Sequence, residues 1–327
     1  MGKHIGIITA GGDSPGLNAA IRGIGKTALG IYNMQVTGVM DGFRGLMENR
    51  TMRMSSEKLS GILTLGGTIL GTSRDKPNKM QVGGKQMDMT EVIVENYYRL
   101  HLDALVCIGG GGTQKNAFHL MQQGLNIVTL PKTIDNDVYG TEETIGFDSA
   151  VNTAIVEIDK IRDTANSHER IFIVEVMGRK RGFLALTIGL TVGAEVILVP
   201  EVEYPLDQIV RTLEKNASKG KKSGIIVAAE GIGDTHKLMR EIEKEAGVEV
   251  RLSVTGYAQR GGNPTARSRL LANLFGDKAV ELLMNKQGSR MVALQEGKIT
   301  SIKLEQVCSK EKPLDLSLMK LAETLAT

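Results

Sequence analysis

The sequence predicts an α/β fold with two doubly wound lobes, each containing a mostly parallel sheet. Three observations support this prediction: short apolar runs recur along the chain, helical patterns separate them, and 327 residues exceed one typical domain. The runs are apolar throughout rather than alternating with polar residues. That pattern is expected of parallel strands covered by helices on both faces.

Seven apolar runs predict strands: IGIIT (5–9), ALVCI (104–108), NIVTL (126–130), RIFIVEV (170–176), EVILV (195–199), GIIVAA (224–229) and RLSVTG (251–256). Helices are predicted over 16–30, 114–124, 148–166, 182–192, 205–219, 235–246 and 265–285. Seven strands over this length favour two sheets. We expect one domain over 1–145 plus 259–307, a second over 146–258, and a C-terminal helical tail over 308–327.

Composition excludes several classes of function. The formal net charge of +3 is close to balance, so neither a nucleic-acid clamp nor a polybasic membrane anchor is predicted. No stretch approaches 18 uninterrupted apolar residues, and the start of the chain lacks a signal-peptide layout. Cys107 and Cys308 are the only cysteines, which favours a reducing compartment. We expect a cytoplasmic protein without nucleic-acid or membrane partners.

Two glycine-rich turns follow predicted strands. Gly11 and Gly12 permit a sharp turn before a helix, an arrangement that binds phosphate, although an ordinary tight turn is an equally good interpretation. The second turn reads GGGGTQKNAF, and Gln114 breaks the dinucleotide-binding pattern. We favour a second phosphate-binding loop over a purely structural turn.

A third loop, PKTIDND, follows the run at 126–130. Asp135 and Asp137 could hold Mg²⁺ or act as a general base, and Lys132 could neutralise a phosphoryl group. This loop alone is slightly better explained as a structural Asx turn.

Five arginines lie at predicted strand ends or in loops: Arg74, Arg170, Arg179, Arg251 and Arg260. Arginine binds phosphate with two parallel hydrogen bonds, so this set predicts a polyanionic substrate. Together with the loops it predicts phosphoryl transfer. A nucleotide-sensing binding protein and an NAD-linked enzyme remain alternatives at this point.

Seven segments resemble the bacterial 6-phosphofructokinase family in order and spacing: TAGGDSPGLNAAIRG, GGTILGTSR, PKTIDND, NSHER, VEVMGR, VPEVE and QRGGNPT. The resemblance extends from about residue 5 to residue 300. It implies transfer of a phosphoryl group from ATP to the 1-hydroxyl of fructose 6-phosphate, with Mg²⁺. It also implies an active site in the cleft between two lobes, and a homotetramer or dimer.

The resemblance implies roles for individual residues. Asp135 would be the general base, with Thr133 and Asp137 positioning the reacting groups, and Arg179 would stabilise the transferring phosphoryl group. The sugar phosphate would be held by Arg170, Met177, Gly178, Glu230, Arg251, Tyr257 and Arg260, with Arg170 and Arg251 supplied by a neighbouring subunit. The phosphoryl donor would contact Gly12, Arg74, Gly110, Gly111, Gly112, Thr113 and Lys132. A phosphate-bearing effector would bind Arg22, Lys26, Arg162, Glu195, Lys219, Lys221 and Lys222.

Three positions depart from the family pattern. Gly111 replaces an acidic residue that helps to bind Mg²⁺, so Asp137, Asp13 or water must substitute. Tyr257 replaces a histidine at the 6-phosphate; its hydroxyl can donate a hydrogen bond but carries no positive charge. In the effector site, Ser56 stands near the place of an arginine.

Two positions disagree about the phosphoryl donor. Gly112 is typical of family members that use ATP, because pyrophosphate users carry an aspartate that clashes with the α-phosphate. Lys132 is typical of pyrophosphate users. We favour ATP, because a missing carboxylate permits ATP and a flexible lysine does not exclude it. A reversible pyrophosphate-dependent enzyme and a catalytically weak regulatory paralogue remain alternatives, as do other sugar phosphates such as sedoheptulose 7-phosphate.

Overall fold

The computed structural model describes residues 3–326. The chain divides into two compact units: unit 1 comprises Met1–Ser149 and Arg260–Lys312, and unit 2 comprises Ala150–Gln259 and Pro313–Thr327. Residues 1, 2 and 327, where the first predicted domain begins and the predicted tail ends, lie outside the described residues.

Unit 1 contains a seven-stranded sheet of order β13-β12-β7-β6-β1-β2-β3. Its strands are β1 (His4–Thr9), β2 (Gln35–Val39), β3 (Thr51–Arg53), β6 (Ala104–Gly109), β7 (Ile127–Pro131), β12 (Arg290–Gln295) and β13 (Lys298–Lys303); β4 (Met80–Val82) and β5 (Lys85–Met87) form a separate hairpin. The edge strands β3 and β13 pair antiparallel with their neighbours, whereas the five central strands run parallel. The carboxyl ends of β1, β6 and β7 therefore meet at one edge of the sheet.

Helices cover both faces of this sheet. They are α1 (Leu17–Gly30), α2 (Gly42–Met47), α3 (Thr90–Arg99), α4 (Gly111–Gln122), α9 (Ala266–Met284) and α10 (Leu304–Ser309), while α5 (Phe147–His168) crosses the unit boundary. Ile7 belongs to the core cluster beneath α1 and α9, and the adjacent Ile8 belongs to the cluster on the other face. Burial on both faces explains why the strands are apolar without alternation.

Helices α1 and α9 approach each other closely because glycine occupies the contact. A Cβ atom at Gly276 would lie 2.6 Å from the backbone nitrogen of Ile24, and one at Gly23 would lie 3.0 Å from Asn273 Cα. Any larger residue at either position would force the helices apart.

Unit 2 contains a four-stranded, fully parallel sheet of order β11-β8-β10-β9. Its strands are β8 (Ile171–Val176), β9 (Val196–Leu198), β10 (Gly224–Ala229) and β11 (Val250–Val254), and its helices are α6 (Phe183–Val192), α7 (Leu206–Ser218), α8 (Thr235–Ala246) and α11 (Ser317–Leu325). Asp234 caps α8 by accepting a hydrogen bond from the backbone of Lys237. Helix α11, from the predicted tail, packs on α6 and β9.

The predicted α/β class is confirmed, and all seven predicted strands are present with small changes in their ends. The prediction missed the strands β2 to β5, β12 and β13, of which β2 and β12 lie inside the sheet, and the helices α2, α3 and α10. The β12–β13 turn contains Glu296 and Gly297, both with positive φ; glutamate is not among the residues typical of such turns, which explains why the hairpin was not predicted. Within residues 3–326, no helix is both long and apolar enough to cross a membrane.

Candidate active site

A cavity of about 350 Å³ opens at the carboxyl edge of the unit 1 sheet. Its walls come from the turns after β1, β6 and β7, from the segment 73–76 and from Arg260. The lining residues include Gly12, Asp13, Arg74, Gly110, Gly111, Gly112, Thr113, Lys132, Thr133, Asp135, Asp137 and Arg260. The structure thus brings together every residue predicted to bind the phosphoryl donor, and three of the four predicted catalytic residues.

The turn after β1 places backbone and two guanidinium groups at the cavity wall. Gly11 has a φ of +88°, and its N–H donates to the carbonyl of Ser73 at 2.8 Å. A Cβ atom at Gly12 would lie 3.7 Å from Arg260 Cζ and 3.9 Å from Arg74 Nη2. Two cations therefore flank a glycine at which a ligand can approach the backbone closely.

The turn after β6 leads directly into α4. Gly110 is the N-cap and has no side chain that could accept from the first N–H groups of the helix. Cβ atoms at Gly111 and Gly112 would meet no other atom within 4 Å. Unsatisfied N–H groups, the positive end of the helix dipole and open space make this turn suited to a phosphate group.

The loop after β7 is held by side-chain hydrogen bonds. Asn136 is 6% exposed and has a φ of +52°, a conformation that asparagine tolerates better than most residues. Its Oδ1 accepts from the Thr144 N–H at 3.1 Å, and its Nδ2 donates to the Glu142 carbonyl at 3.1 Å. Asp135 and Asp137, on either side of it, both line the cavity.

Thr133 and Thr144 add further connections to this loop. Thr133 Oγ1 accepts from the backbone N–H of Asp135 at 3.1 Å, and Thr144 Oγ1 donates to the Thr133 carbonyl at 2.6 Å. The family resemblance implied a positioning role for Thr133, whereas Asn136 and Thr144 were not predicted. The tolerance of asparagine for positive φ was the available signal.

Lys132 is the central charge of the cavity. It is 2% exposed, and its Nζ donates to the Gly12 carbonyl. Burial lowers the pKa of Lys132 to about 8; the Asp13 and Asp135 carboxylates oppose this effect, while the positive charges of Arg260 and Arg74 add to it. The lysine therefore connects the turn after β1 to the loop after β7, which contains Asp135 and Asp137 and is called the carboxylate loop below.

The segment 73–76 is held in place by a pair that the sequence analysis also missed. Arg44 donates to both oxygens of Asp75, at 2.7 Å from Nε and 2.9 Å from Nη2. The hydrogen bond from Arg44 keeps the pKa of Asp75 below its usual value. This pair fixes the segment that carries Arg74, and Asp75 itself lies at the cavity wall.

The predicted sugar-phosphate residues of unit 2 fall into two groups. Met177, Gly178 and Glu230, together with the predicted catalytic residue Arg179, follow the carboxyl ends of β8 and β10, where the Gly231 N–H donates to the Gly178 carbonyl at 3.2 Å. The Met177 N–H donates to Gln259 Oε1 at 2.7 Å. Tyr257, which is 77% exposed, lies beyond the carboxyl end of β11.

Arg170 and Arg251 lie near the opposite, amino ends of β8 and β11. Both contact Glu249: Arg170 Nε is 2.6 Å from its Oε2, and Arg251 Nη2 pairs with its Oε1. The six residues of β8 separate Arg170 from Met177, a distance of about 20 Å along a strand. Within a single chain, Arg170 and Arg251 are therefore not brought to the carboxyl edge of the unit 2 sheet, where Met177 lies.

The predicted effector residues also divide by unit. In unit 1, Lys26 Nζ donates to the carbonyl and hydroxyl oxygens of Ser56, at 2.9 and 2.6 Å, and Arg22 lies one turn earlier on α1. In unit 2, Glu195 has a side chain 1% exposed and pairs with Lys221 at 2.5 Å. Three other effector candidates belong to unit 2. Arg162 donates to the Val192 carbonyl at 2.5 Å, and Lys222 pairs with Glu169 at 3.0 Å. Lys219 lies at the end of α7.

No group of three or more His, Cys, Asp or Glu side chains within residues 3–326 is arranged to hold a metal ion. The cavity nevertheless contains the carboxylates of Asp13, Asp135 and Asp137. Magnesium in phosphoryl-transfer sites needs only one or two carboxylates, because phosphate oxygens and water complete its coordination. The donor chemistry of the cavity therefore fits Mg²⁺.

The sequence matches the family described as Phosphofructokinase over residues 4–283. The chain belongs to the phosphofructokinase family. Its relatives include the ATP-dependent 6-phosphofructokinases of Propionibacterium freudenreichii (42% identity, 100% of this chain and 99% of the relative) and Spirochaeta thermophila (44%, 99% and 97%). ATP-dependent 6-phosphofructokinase 3 of Bacteroides thetaiotaomicron is 47% identical over 94% of each chain.

Solved structures agree with the family fold. Pichia pastoris phosphofructokinase in the T-state superposes with a TM-score of 0.87 at 29% identity; the match covers all of this chain but 37% of the Pichia chain. A pyrophosphate-dependent phosphofructokinase from Marinobacter aquaeolei gives a TM-score of 0.84 at 22% identity, covering 96% of this chain and 86% of the other. The second likeness shows the shared fold alone.

Proposed function

We propose that this protein is an ATP-dependent 6-phosphofructokinase, which transfers the terminal phosphoryl group of ATP to the 1-hydroxyl of fructose 6-phosphate. The observation that carries the proposal is the single cavity in which Asp135, Lys132 and the amino end of α4 converge. Relatives named as ATP-dependent 6-phosphofructokinases, 41–47% identical over nearly the whole chain, support it.

In this reaction Asp135 accepts the proton of the sugar 1-hydroxyl, and Thr133 positions it through the 3.1 Å hydrogen bond to its backbone. The N–H groups of Gly111, Gly112 and Thr113 bind the donor phosphates. Lys132, Arg74 and Arg260 neutralise the charge that develops during transfer, and Arg179 is assigned to the same task. Catalysis then depends mainly on positioning and charge neutralisation.

We assign Asp137 to Mg²⁺, with Asp13 as a second carboxylate, because Gly111 has no side chain that could bind the metal. When bound, Mg²⁺ would neutralise phosphate charge. The chain holds these two carboxylates beside the turn after β6: Asn136 fixes the loop that carries Asp137, and the turn after β1 carries Asp13.

We further assign unit 1 to the phosphoryl donor and unit 2 to the sugar phosphate. Arg170 and Met177 lie at opposite ends of β8, and this placement supports a homo-oligomer, which is a tetramer by family resemblance. In it, Arg170 and Arg251 would bind the sugar phosphate of a neighbouring subunit. The clusters at Lys26 and at Glu195 are candidate sites for a phosphate-bearing effector. A cytoplasmic location is part of the same proposal.

A pyrophosphate-dependent enzyme is the second candidate, because Lys132 points its ammonium group at Gly12 inside the donor cavity. The position of Lys132 is also compatible with ATP, since its ammonium group can pair with a phosphate of the nucleotide instead of excluding it.

The deciding experiment is a comparison of donors. Purified protein receives fructose 6-phosphate, Mg²⁺ and either ATP or pyrophosphate, and fructose 1,6-bisphosphate is measured. We expect ATP to support the faster reaction, and higher activity with pyrophosphate would overturn the choice of donor. Binding of the sugar phosphate with no transfer from either donor, across a wide range of Mg²⁺, would instead identify a regulatory paralogue. Sedoheptulose 7-phosphate in parallel reactions tests the choice of sugar.

A further inference from the structure

The short segment after α10 contacts the stretch that follows the two aspartates. Lys312 Nζ donates to the carbonyl of Glu142 at 2.9 Å. Two residues earlier, Lys310 Nζ lies 5.5 Å from the centre of the Tyr139 ring. Residues 310 and 312 therefore lie against the stretch 137–143, although about 170 positions separate the contacting residues in the sequence.

The Glu142 carbonyl has a second donor. Asn136 Nδ2, between Asp135 and Asp137, donates to the same oxygen at 3.1 Å. Lys312 and Asn136 thus share one acceptor, and two consecutive hydrogen bonds connect the C-terminal segment to the carboxylate loop. A carbonyl oxygen has two lone pairs, so it can accept both bonds at once.

The acceptor lies in an acidic stretch that attracts a cation. Asp137, Glu142 and Glu143 place three carboxylates within seven residues. Arg267 pairs with Glu143 at 2.8 Å, and the backbone N–H groups of Glu296 and Gly297 bind the Glu142 carboxylate. Burial lowers the pKa of Lys312 to about 8, while Asp137, then Glu143 and Glu142, attract its positive charge and oppose the effect of burial.

We infer that Lys312 is a positioning residue for phosphoryl transfer: its ammonium group holds the Glu142 carbonyl, and through Asn136 it sets the geometry of Asp135 and Asp137. This inference rests on the proposed function. Lys312 does not line the cavity, so its loss changes the placement of the carboxylates rather than any contact with substrate. Small misplacements of catalytic groups reduce turnover strongly and leave ground-state binding nearly intact.

The test compares three substitutions at this lysine with one at its neighbour. Lys312→Met removes the charge and the hydrogen bond, Lys312→Gln keeps a donor without charge, and Lys312→Arg keeps both. Lys310→Met is the matched control, because it removes one exposed positive charge from the same segment, and Lys310 contacts the Tyr139 ring rather than the Glu142 carbonyl that Asn136 shares. Steady-state kinetics with ATP and fructose 6-phosphate, and thermal unfolding, are measured for each protein.

We expect kcat to fall about tenfold in Lys312→Met, with both KM values within about twofold of the wild type. Lys312→Gln should show an intermediate loss, Lys312→Arg should recover most of the turnover, and Lys310→Met should match the wild type. Unchanged kcat in Lys312→Met, failure of Lys312→Arg to restore turnover, or an equal loss in Lys310→Met would overturn the inference. If Lys312→Met does not fold, Lys312→Gln and Lys312→Arg decide the question by the same criteria. A wild type that transfers no phosphoryl group would refute the proposed function, and the inference would fall with it.

Discussion

Two neighbouring loops of unit 1 contribute to the same cavity in different ways. The loop after β6 presents bare backbone: no side chain caps α4, and Gly111 and Gly112 face open space. The loop after β7 is bound to its surroundings by Asn136, Thr144 and Lys132. Substitutions in the first loop should therefore alter ligand preference without affecting the fold, whereas substitutions in the second should alter both.

The largest effect is expected for the proposed general base in the carboxylate loop. Asp135→Ser removes the proposed general base, and turnover should fall about 1,000-fold, because a positioned base contributes that order of acceleration. Binding of fructose 6-phosphate, measured by calorimetry, should persist. Asp137→Ser is the matched comparison and should retain more activity. Full turnover in Asp135→Ser would refute the assignment of the base.

Gly112→Asp tests whether the open loop selects the donor. A carboxylate beside the polyphosphate should reduce kcat/KM for ATP about 100-fold, through repulsion and loss of space. The thermal midpoint should stay near that of the wild type, because a Cβ atom at this position meets no neighbouring group within 4 Å. Gly112→Asn separates size from charge. A large loss of stability would contradict the contrast between the two loops.

Asn136→Ala should affect stability and catalysis together. It removes two buried hydrogen bonds and leaves alanine at a φ of +52°, so the free energy of unfolding should fall by about 2–3 kcal/mol. The kcat should also fall about tenfold as Asp135 and Asp137 shift. Denaturant unfolding and steady-state kinetics measure the two effects. Asn136→Asp, which keeps the acceptor, should be milder; a stable, fully active Asn136→Ala would show that the loop does not need this support.

The charge of Lys132 should make donor binding depend on pH. With a folded pKa of about 8, the lysine is positive at pH 7 and loses its charge as the pH rises through 8. The KM for ATP should therefore rise several-fold between about pH 7 and 9. In Lys132→Met it should be high and nearly constant over the same range. A flat profile in the wild type would indicate that Lys132 does not pair with the donor.

The same shift has a consequence for stability. The folded pKa lies below the ordinary value of 10.5, so the cost of burying the charge is fully present below pH 8. That cost is relieved as the pH rises from about 8 towards 10.5. Lys132→Met should remove this pH-dependent contribution to the free energy of unfolding.

The smallest effect is expected for Gly111→Asp. Its carboxylate would extend into open space at the cavity wall, so the Mg²⁺ concentration for half-maximal activity should fall a few-fold. Gly111→Asn, which lacks the charge, provides the control. An unchanged Mg²⁺ requirement would show that Asp137 and Asp13 already supply all the carboxylate that the metal uses.

The seven predicted strands, most of which are largely buried, and the glycine turns could be predicted from the sequence because their signals are local. Burial on both faces selects an apolar run, and a tight turn before a helix selects glycine. Edge strands such as β3 and β13 carry weaker patterns, since only part of their surface is buried, and they were missed. The donor residues were predicted from family motifs, whereas the Arg44–Asp75 pair belongs to no motif.

The sequence alone was enough to predict the fold class, the family and most of the residues that line the cavity. Strand patterns and family motifs consist of residues that are close together in the sequence. The tertiary structure decided which distant groups meet. It placed Lys132 on the carbonyl of Gly12, 120 positions away, and Lys312 on that of Glu142, 170 positions away. Such contacts depend on how whole strands and helices pack, and no local pattern of side chains encodes that packing.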